Sequence, residues 1–247
     1  MKKILLILII GLILFNSCKK GVVRDCFKST GKLTDELRSI ENFSSILLKD
    51  NVNLILCKSE NNSIRVTAGS NLISGIITEV DENGLLEISN ENECNWVRSY
   101  ESPINVYLNY VDIDSIEYRS IGDIKTDGIL LTDTLWLKVT EGAGHIEMKL
   151  NVARLYCALI YGTSDITLSG RCGLSYVFSA SFGLIDMVDL ESDNVYVNSR
   201  SSNNIYLSVE NDLGAIIGNI GSIYYKGNPS TITLDKTGSG ELIKISD

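Results

Sequence analysis

What most limits the fold of this chain is a recurrence. The segments "SIGDI", "GAGHI", "GTSDI", "SFGLI", "SSNNI", "NIGSI" and "GSGEL" follow one another along its second half. Each ends on an apolar residue, Ile124, Ile146, Ile166, Ile185, Ile205, Ile223 and Leu242, at intervals of 22, 20, 19, 20, 18 and 19 residues. A nearly constant period over seven copies is the signature of a solenoid. Each repeat is too small to bury its own apolar face and does so by stacking on its neighbours.

The surroundings of each copy say what kind of solenoid. Before the turn, apolar residues alternate, as in Leu135/Leu137/Val139 and Leu155/Cys157/Leu159. After it they alternate again, as in Ile146/Met148/Leu150 and Ile205/Leu207/Val209. Period-two alternation sends one set of side chains inward and the other to solvent, which is strand geometry. The Gly/Ser/Asn turns between the strands suit tight reversals. Seven coils stacked about 4.8 Å apart make a rod about 30 Å long.

Between Ile40 and Tyr110 the sequence is also strand-like but without the clean period. "FSSILLKD", "VNLILCK", "SIRVTAG", "GIITEV", "LLEISN" and "INVYLNY" are short, rich in Val, Ile, Leu and Tyr, and bounded by Asn, Asp, Gly or Ser. The sequence therefore predicts an all-β protein: a right-handed parallel β-helix of about 20-residue coils over residues 111–247. Less regular coils over 39–110 cap or extend one end.

The first eighteen residues are a separate object. "MKKILLILIIGLILFNSC" sets Lys2 and Lys3 before an apolar run from Ile4 to Phe15, then Ser17 and Cys18. The run is short for a bilayer span and fits the core of a secretory signal. A cysteine directly after a small residue resembles a lipobox, so residues 1–18 read as a lipoprotein signal and Cys18 as the lipidated residue. The alternative is an ordinary cleaved signal. Residues 19–38 read as a polar tether, and residues 39–247 as the folded domain. Lys19 and Lys20 just after the anchor tilt the expected location to the periplasmic side of the outer membrane rather than the cell surface. The partners implied are the membrane, through the lipid, and a glycan or an envelope or host protein.

The formal net charge of −9 argues against nucleic acid, which needs a concentrated basic surface. Cys26, Cys57, Cys94, Cys157 and Cys172 are an odd set with no CxxC spacing, and His145 is the only histidine, so no zinc motif is present. Cys157 alternates with Leu155 and Leu159 and reads as a small buried hydrophobe. Cys26 and Cys94 flank the folded body in polar surroundings, where a bridge between them is one expectation. No GxSxG, P-loop or HExxH occurs. "DMVDLESDN" (Asp186 to Asn194), the densest acidic run, reads as a solvated loop in preference to a cation site. His145 holds the place just before a stacked isoleucine. In the other copies Asp123, Asp165, Leu184, Asn204, Ser222 and Glu241 stand there. It reads as an outward, permissive position without shared chemistry. We expect no catalytic residue, cofactor or metal. The candidate contact residues are Trp96, Arg98 and Tyr100, which alternate along "NWVRSY", with Tyr224 and Tyr225 in "SIYYKGNP". Such aromatics either form a platform for sugars or proteins or cap the solenoid core.

The "GSGDI"-type repeats, the ending "GSIYYKGNPSTITLDKTGSGELIKI" and the earlier "CNWVRSYESPINVYL" resemble the DUF2807 family, also called the putative auto-transporter adhesin, head GIN domain, of Bacteroidetes-type lipoproteins. The segment "DCFKSTGK" after the lipobox also looks like its exported members. The resemblance runs from about Ser39 to Ile245. It implies a β-helical domain on a lipid anchor with a role in adhesion or envelope interactions, and it carries no catalytic residues. The reading is a non-catalytic envelope lipoprotein that presents a solenoid face for binding. The alternatives are a carbohydrate-active β-helix enzyme (a polysaccharide lyase or hydrolase) and a passive envelope scaffold.

Overall fold

The structure is a computed structural model and describes residues 29–93 and 103–246. In these residues the chain forms β1 (Leu33–Arg38), β2 (Ser45–Asp50), β3 (Val52–Lys58), β4 (Ser63–Gly69), β5 (Ile76–Val80), β6 (Leu85–Asn90), β7 (Ile104–Tyr110), β8 (Ser115–Ser120) and β9 (Ile124–Asp127). The longer strands follow: β10 (Leu130–Gly142), β11 (His145–Leu159), β12 (Asp165–Ser179), β13 (Ile185–Ser199) and β14 (Ile205–Ile217). Three short ones end the chain, β15 (Ile223–Lys226), β16 (Thr231–Lys236) and β17 (Leu242–Lys244). The described residues contain no α-helix, and the regular part winds through about six turns of about 20 residues.

Two walls face each other across a single apolar core. Strands β11 to β14 each begin on the back wall and finish on the front wall, pairing in parallel with the equivalent stretch of the next coil. The predicted isoleucine column is present on the back wall. Ile124, Ile146, Ile166, Ile185, Ile205 and Ile223 are paired in successive register, each 0–1% exposed, and Leu242 completes the series. Full burial of each such side chain contributes about 1.5–3 kcal/mol, and one coil's column is the packing surface of the next. Cys157 lies in the equivalent front-wall layer, fully buried, and loss of water pushes its thiol up to about 12. It is an inert core residue. Cys57, Cys157 and Cys172 are free, and Cys18, Cys26 and Cys94 lie outside the described residues.

The N-terminal part extends the same two walls, but out of chain order. On the back wall β3 lies between β7 and β9, with Leu54 paired to both Val106 and Ile124. On the front wall β2 lies between β6 and β8. The rung made by β2 and β3 is thus second in the stack although it comes first along the chain. Beyond the first rung, made by β6 and β7, parallel stacking stops, because β4 runs antiparallel to β7, β1 antiparallel to β4, and β5 antiparallel to β6. These reversed strands close the end.

One boundary needs correction. Leu33–Arg38 falls inside the stretch read as tether, yet it is strand β1, paired with β4 from Leu33↔Gly69 to Arg38↔Ile64. Its polar residues sit on an outer edge strand with most side chains in water, which hides it from an apolar pattern. Arg38 pins it, donating from Nη2 to Ile73 O at 2.9 Å and from Nη1 to Ile76 O at 2.5 Å. The opposite end differs. Every residue of β16 is exposed, including Ile232 and Leu234, whose counterparts Leu213 and Ala215 one coil back are buried.

The turns hold the coils at strand spacing. A Cβ added at Gly122 would overlap the Val52 carbonyl, and one at Gly144 would overlap the Gly122 carbonyl, so only glycine permits the approach. Tyr118 spans these two turns, donating to Gly122 O at 2.6 Å and accepting from Gly144 N at 2.9 Å. Buried there, its hydroxyl is pushed up to about 12, chiefly by desolvation.

Candidate binding surface

Of the contact residues expected from sequence, Trp96, Arg98 and Tyr100 lie outside the described residues, as does the lipidation candidate Cys18. Tyr225 is buried in the core. Tyr224 is half-buried and stacks on Tyr206, centroids 4.9 Å apart.

His145 is half-buried at the start of β11, and its column does share a chemistry that the sequence reading missed. Where this position carries a side-chain acceptor, that acceptor commonly takes the backbone N–H of the same position one coil on. Asp123 N donates to Asn53 Oδ1 (2.9 Å), His145 N to Asp123 Oδ1 (2.9 Å) and Leu184 N to Asp165 Oδ1 (2.8 Å). Further along, Ser222 N donates to Asn204 Oδ1 (3.0 Å) and Glu241 N to Ser222 Oγ (3.0 Å). The position is therefore a capping ladder for turn amides that would otherwise lack partners. His145 is a receiving member of that ladder.

The acidic run Asp186–Asn194 is strand rather than loop. It lies in β13, with Met187, Leu190 and Ser192 buried, and the register slips between Met187 and Glu191 as the strand bulges. Asp193 meets Arg171 at 3.6 Å. Among the described residues no three His, Cys, Asp or Glu side chains gather as a metal site would require.

A continuous aromatic array lies on the outer face of the front wall. Trp136, Tyr156, Tyr176 and Tyr196 occupy one register position in β10 to β13. Their rings stack with centroids 3.8, 5.0 and 5.5 Å apart and interplanar angles of 6°, 7° and 20°. Each stacked pair adds about 0.5–1.5 kcal/mol beyond area burial. The last ring leans over Gly214, where a Cβ would come within 2.7 Å of Tyr196 Cδ1. Trp136 is 51% exposed and Tyr196 46%. Beside the ladder runs a groove of about 720 Å³, also lined by Lys138, Phe178, Asn198 and Ile216. Apolar side chains project from the adjoining turns as well: Ile121, Tyr161, Phe182 and Ile220 are all more than half exposed. The back wall is different in character. Its outer face carries ion pairs such as Lys125–Glu147 at 3.5 Å. The ladder has a sequence signal, an interval of 20 residues at positions 136, 156, 176 and 196. It is masked by the stronger apolar signal that follows each turn.

A family model described as putative auto-transporter adhesin, head GIN domain, matches residues 42–229. The chain belongs to this family, DUF2807. Solved structures share its fold. A putative adhesin from Bacteroides fragilis superposes with a TM-score of 0.78 at 21% identity, covering 87% of this chain and 97% of that one. A putative lipid binding protein from Parabacteroides distasonis gives 0.70 at 19%, covering 88% and 98%. A putative adhesin from Parabacteroides merdae gives 0.65 at 16%, again covering 88% and 98%. No curated protein matches the sequence. The family and these neighbours are named for adhesion or lipid binding rather than for an enzyme, and membership in an adhesin-type family places the protein with those of the cell envelope or surface.

Proposed function

We propose that this member of the DUF2807 family is a non-catalytic adhesion module of the cell envelope that makes contact through the aromatic front wall. The observation that carries the reading is the exposed Trp136–Tyr196 ladder with its apolar flanks. A contiguous apolar surface of this kind on a folded chain marks an interaction site. Tyr and Trp suit such a role, giving rigid contact area with a polar edge. The adhesin description of the family agrees with it. Cys18 carries the lipid anchor to the outer membrane, on its periplasmic side, and the partner is a glycan or an envelope or host protein.

The test is binding of the purified mature protein to a glycan array and to immobilised envelope fractions, beside a Trp136→Ser/Tyr176→Ser variant. Wild-type binding that falls at least tenfold in the variant is expected, and equal binding would remove the front wall from the reading. Turnover of uronic-acid polysaccharides would reverse the non-catalytic assignment. Cys18→Ala should abolish incorporation of labelled palmitate, and protease added to intact cells should leave the protein uncut.

A further inference from the structure

The front wall is self-complementary when one copy is turned end over end. Three columns of side chains face outward along it, one residue per coil. The ladder column runs Trp136, Tyr156, Tyr176, Tyr196, Gly214, Thr233. The column on one side of it runs Lys138, Ala158, Phe178, Asn198, Ile216, Asp235, and that on the other runs Thr134, Arg154, Leu174, Asn194, Asp212, Thr231. Consider a two-fold axis parallel to the strands, midway between the coils of Tyr176 and Tyr196. It sets each column of one copy against the same column of the other, in reverse order.

The oppositions that result are favourable in kind. Trp136 faces Thr233, Tyr156 faces Gly214 and Ile216 faces Ala158, so bulk meets a small residue at these places, while at the centre Tyr176 faces Tyr196 ring to ring, Phe178 faces Asn198 and Leu174 faces Asn194. Lys138 faces Asp235 and Arg154 faces Asp212, so every charge in the three columns meets its opposite. Arg154 also lies 3.4 Å from Asp133 on its own chain, within reach of both carboxylates. No two like charges in these columns are opposed, although Lys138 and Asp235 lie five coils apart and Arg154 and Asp212 three.

We propose that the front wall pairs with the front wall of a second copy of this chain in this antiparallel register. The proposal rests on the reading of that wall as the contact surface and names its partner. Six large apolar side chains line the groove and are 38–51% exposed, from Tyr176 to Trp136. At roughly 200 Å² for each, they present on the order of 500 Å², an apolar patch of the size that marks an interaction site. The charged and polar members of the two flanking columns extend the contact around it. The arrangement is isologous and closed, so it stops at a dimer. It points the N-terminal ends of the two copies in opposite directions along the rod.

Sedimentation velocity on the mature protein over a wide concentration range should show a monomer–dimer equilibrium. Two variants test the register. Lys138→Asp/Arg154→Asp and Asp212→Arg/Asp235→Lys each set like charges together in the self-pair and should weaken dimerisation by roughly a hundredfold or more. Mixed in equal amounts, they should form a heterodimer of near wild-type strength, because every opposition is again between unlike charges. None of the four residues is buried, so unchanged melting of each variant alone serves as the folding control. A wild-type monomer at every concentration, a dimer indifferent to both variants, or failure of the mixture to recover would each overturn the proposal. Should the chain stay monomeric while Trp136→Ser/Tyr176→Ser still abolishes adhesion, the second copy is excluded and the contact surface stands. Restored pairing in the mixture, with adhesion indifferent to the wall, would uphold the pairing and remove the adhesive reading.

Discussion

The two ends of this molecule solve the same packing problem with opposite wiring. In the rod from β10 to β14 each coil packs on the coil just before and just after it in sequence, as Ile166 does on Ile146 and Ile185. In the N-terminal block Leu54 packs between Val106 and Ile124, residues 52 and 70 positions away. The side chains of this rung and their burial are like those of the rod, and what differs for it is the length of chain that closes each contact. Closing longer loops costs more chain entropy before any contact is gained, and folding slows as contacts become less local. The rod can therefore add or lose coils one at a time, whereas the block forms as a unit or not at all. The difference teaches that a repeat array needs one non-repetitive, long-range element to hold its end closed.

The largest break is expected where a turn leaves a Cβ no room, as it does at the seam between the two regions. Gly122→Ala forces a Cβ into the Val52 carbonyl, backbone against backbone, and should cost about 4 kcal/mol or more, or prevent folding outright. Gly218→Ala, in a rod turn where the nearest atom would be 3.5 Å away, should stay within about 0.5 kcal/mol. Urea melts of the pair give the contrast directly, and similar losses would show that backbone crowding at Gly122 is not what sets the cost.

Next in size is a matched deletion in the core. Leu54 and Leu207 are both fully buried. Leu54→Ala should remove about 3 kcal/mol and lower amide protection throughout the chain. Leu207→Ala should loosen mainly the coils from Ile185 onward. Hydrogen exchange that responded locally to Leu54→Ala would contradict the all-or-none block.

The smallest effect sharpens the comparison through pH. Tyr118 ties the Gly122 turn to the Gly144 turn, and its folded-state pKa is raised to about 12, against about 10 unfolded. The folded chain thus holds its phenolic proton longer. That contribution is complete below pH about 10 and is lost as pH rises towards 12. Tyr118→Phe should cost about 1–3 kcal/mol at neutral pH, by leaving two backbone groups unpaired, and should flatten part of the alkaline limb of a stability–pH curve. Tyr110 and the Cys157 thiol, both also raised to about 12 by burial, contribute to the remainder. An unchanged alkaline limb would show that the seam tyrosine is not what titrates.

Legibility in the sequence followed the same division. The stacked column from Ile124 to Leu242 could be read because neighbours in space are neighbours in sequence, so a period survives in the string. Leu54 has the same environment but no period to announce it, since its rung was inserted between two later ones. β1 was hidden by its polar residues, because an outer edge strand needs little apolar surface. The ladder from Trp136 to Tyr196 kept an even interval, but it lies inside strands whose inward residues dominated the pattern. The capping role of the column through Asp123 and Asp165 could not be read from identities alone. Asp, Asn and Ser look unrelated until the backbone N–H that all of them accept is located.

The interleaved rung also bears on biogenesis. A polypeptide made from its N-terminus presents β2 and β3 long before either flanking partner exists, and Leu54 keeps one bare side until Ile124 has emerged. A product cut short anywhere before that point retains an uncovered sticky strand, a natural mark for quality-control proteases. Loss of residues from the far end would only shorten the finished stack by whole steps.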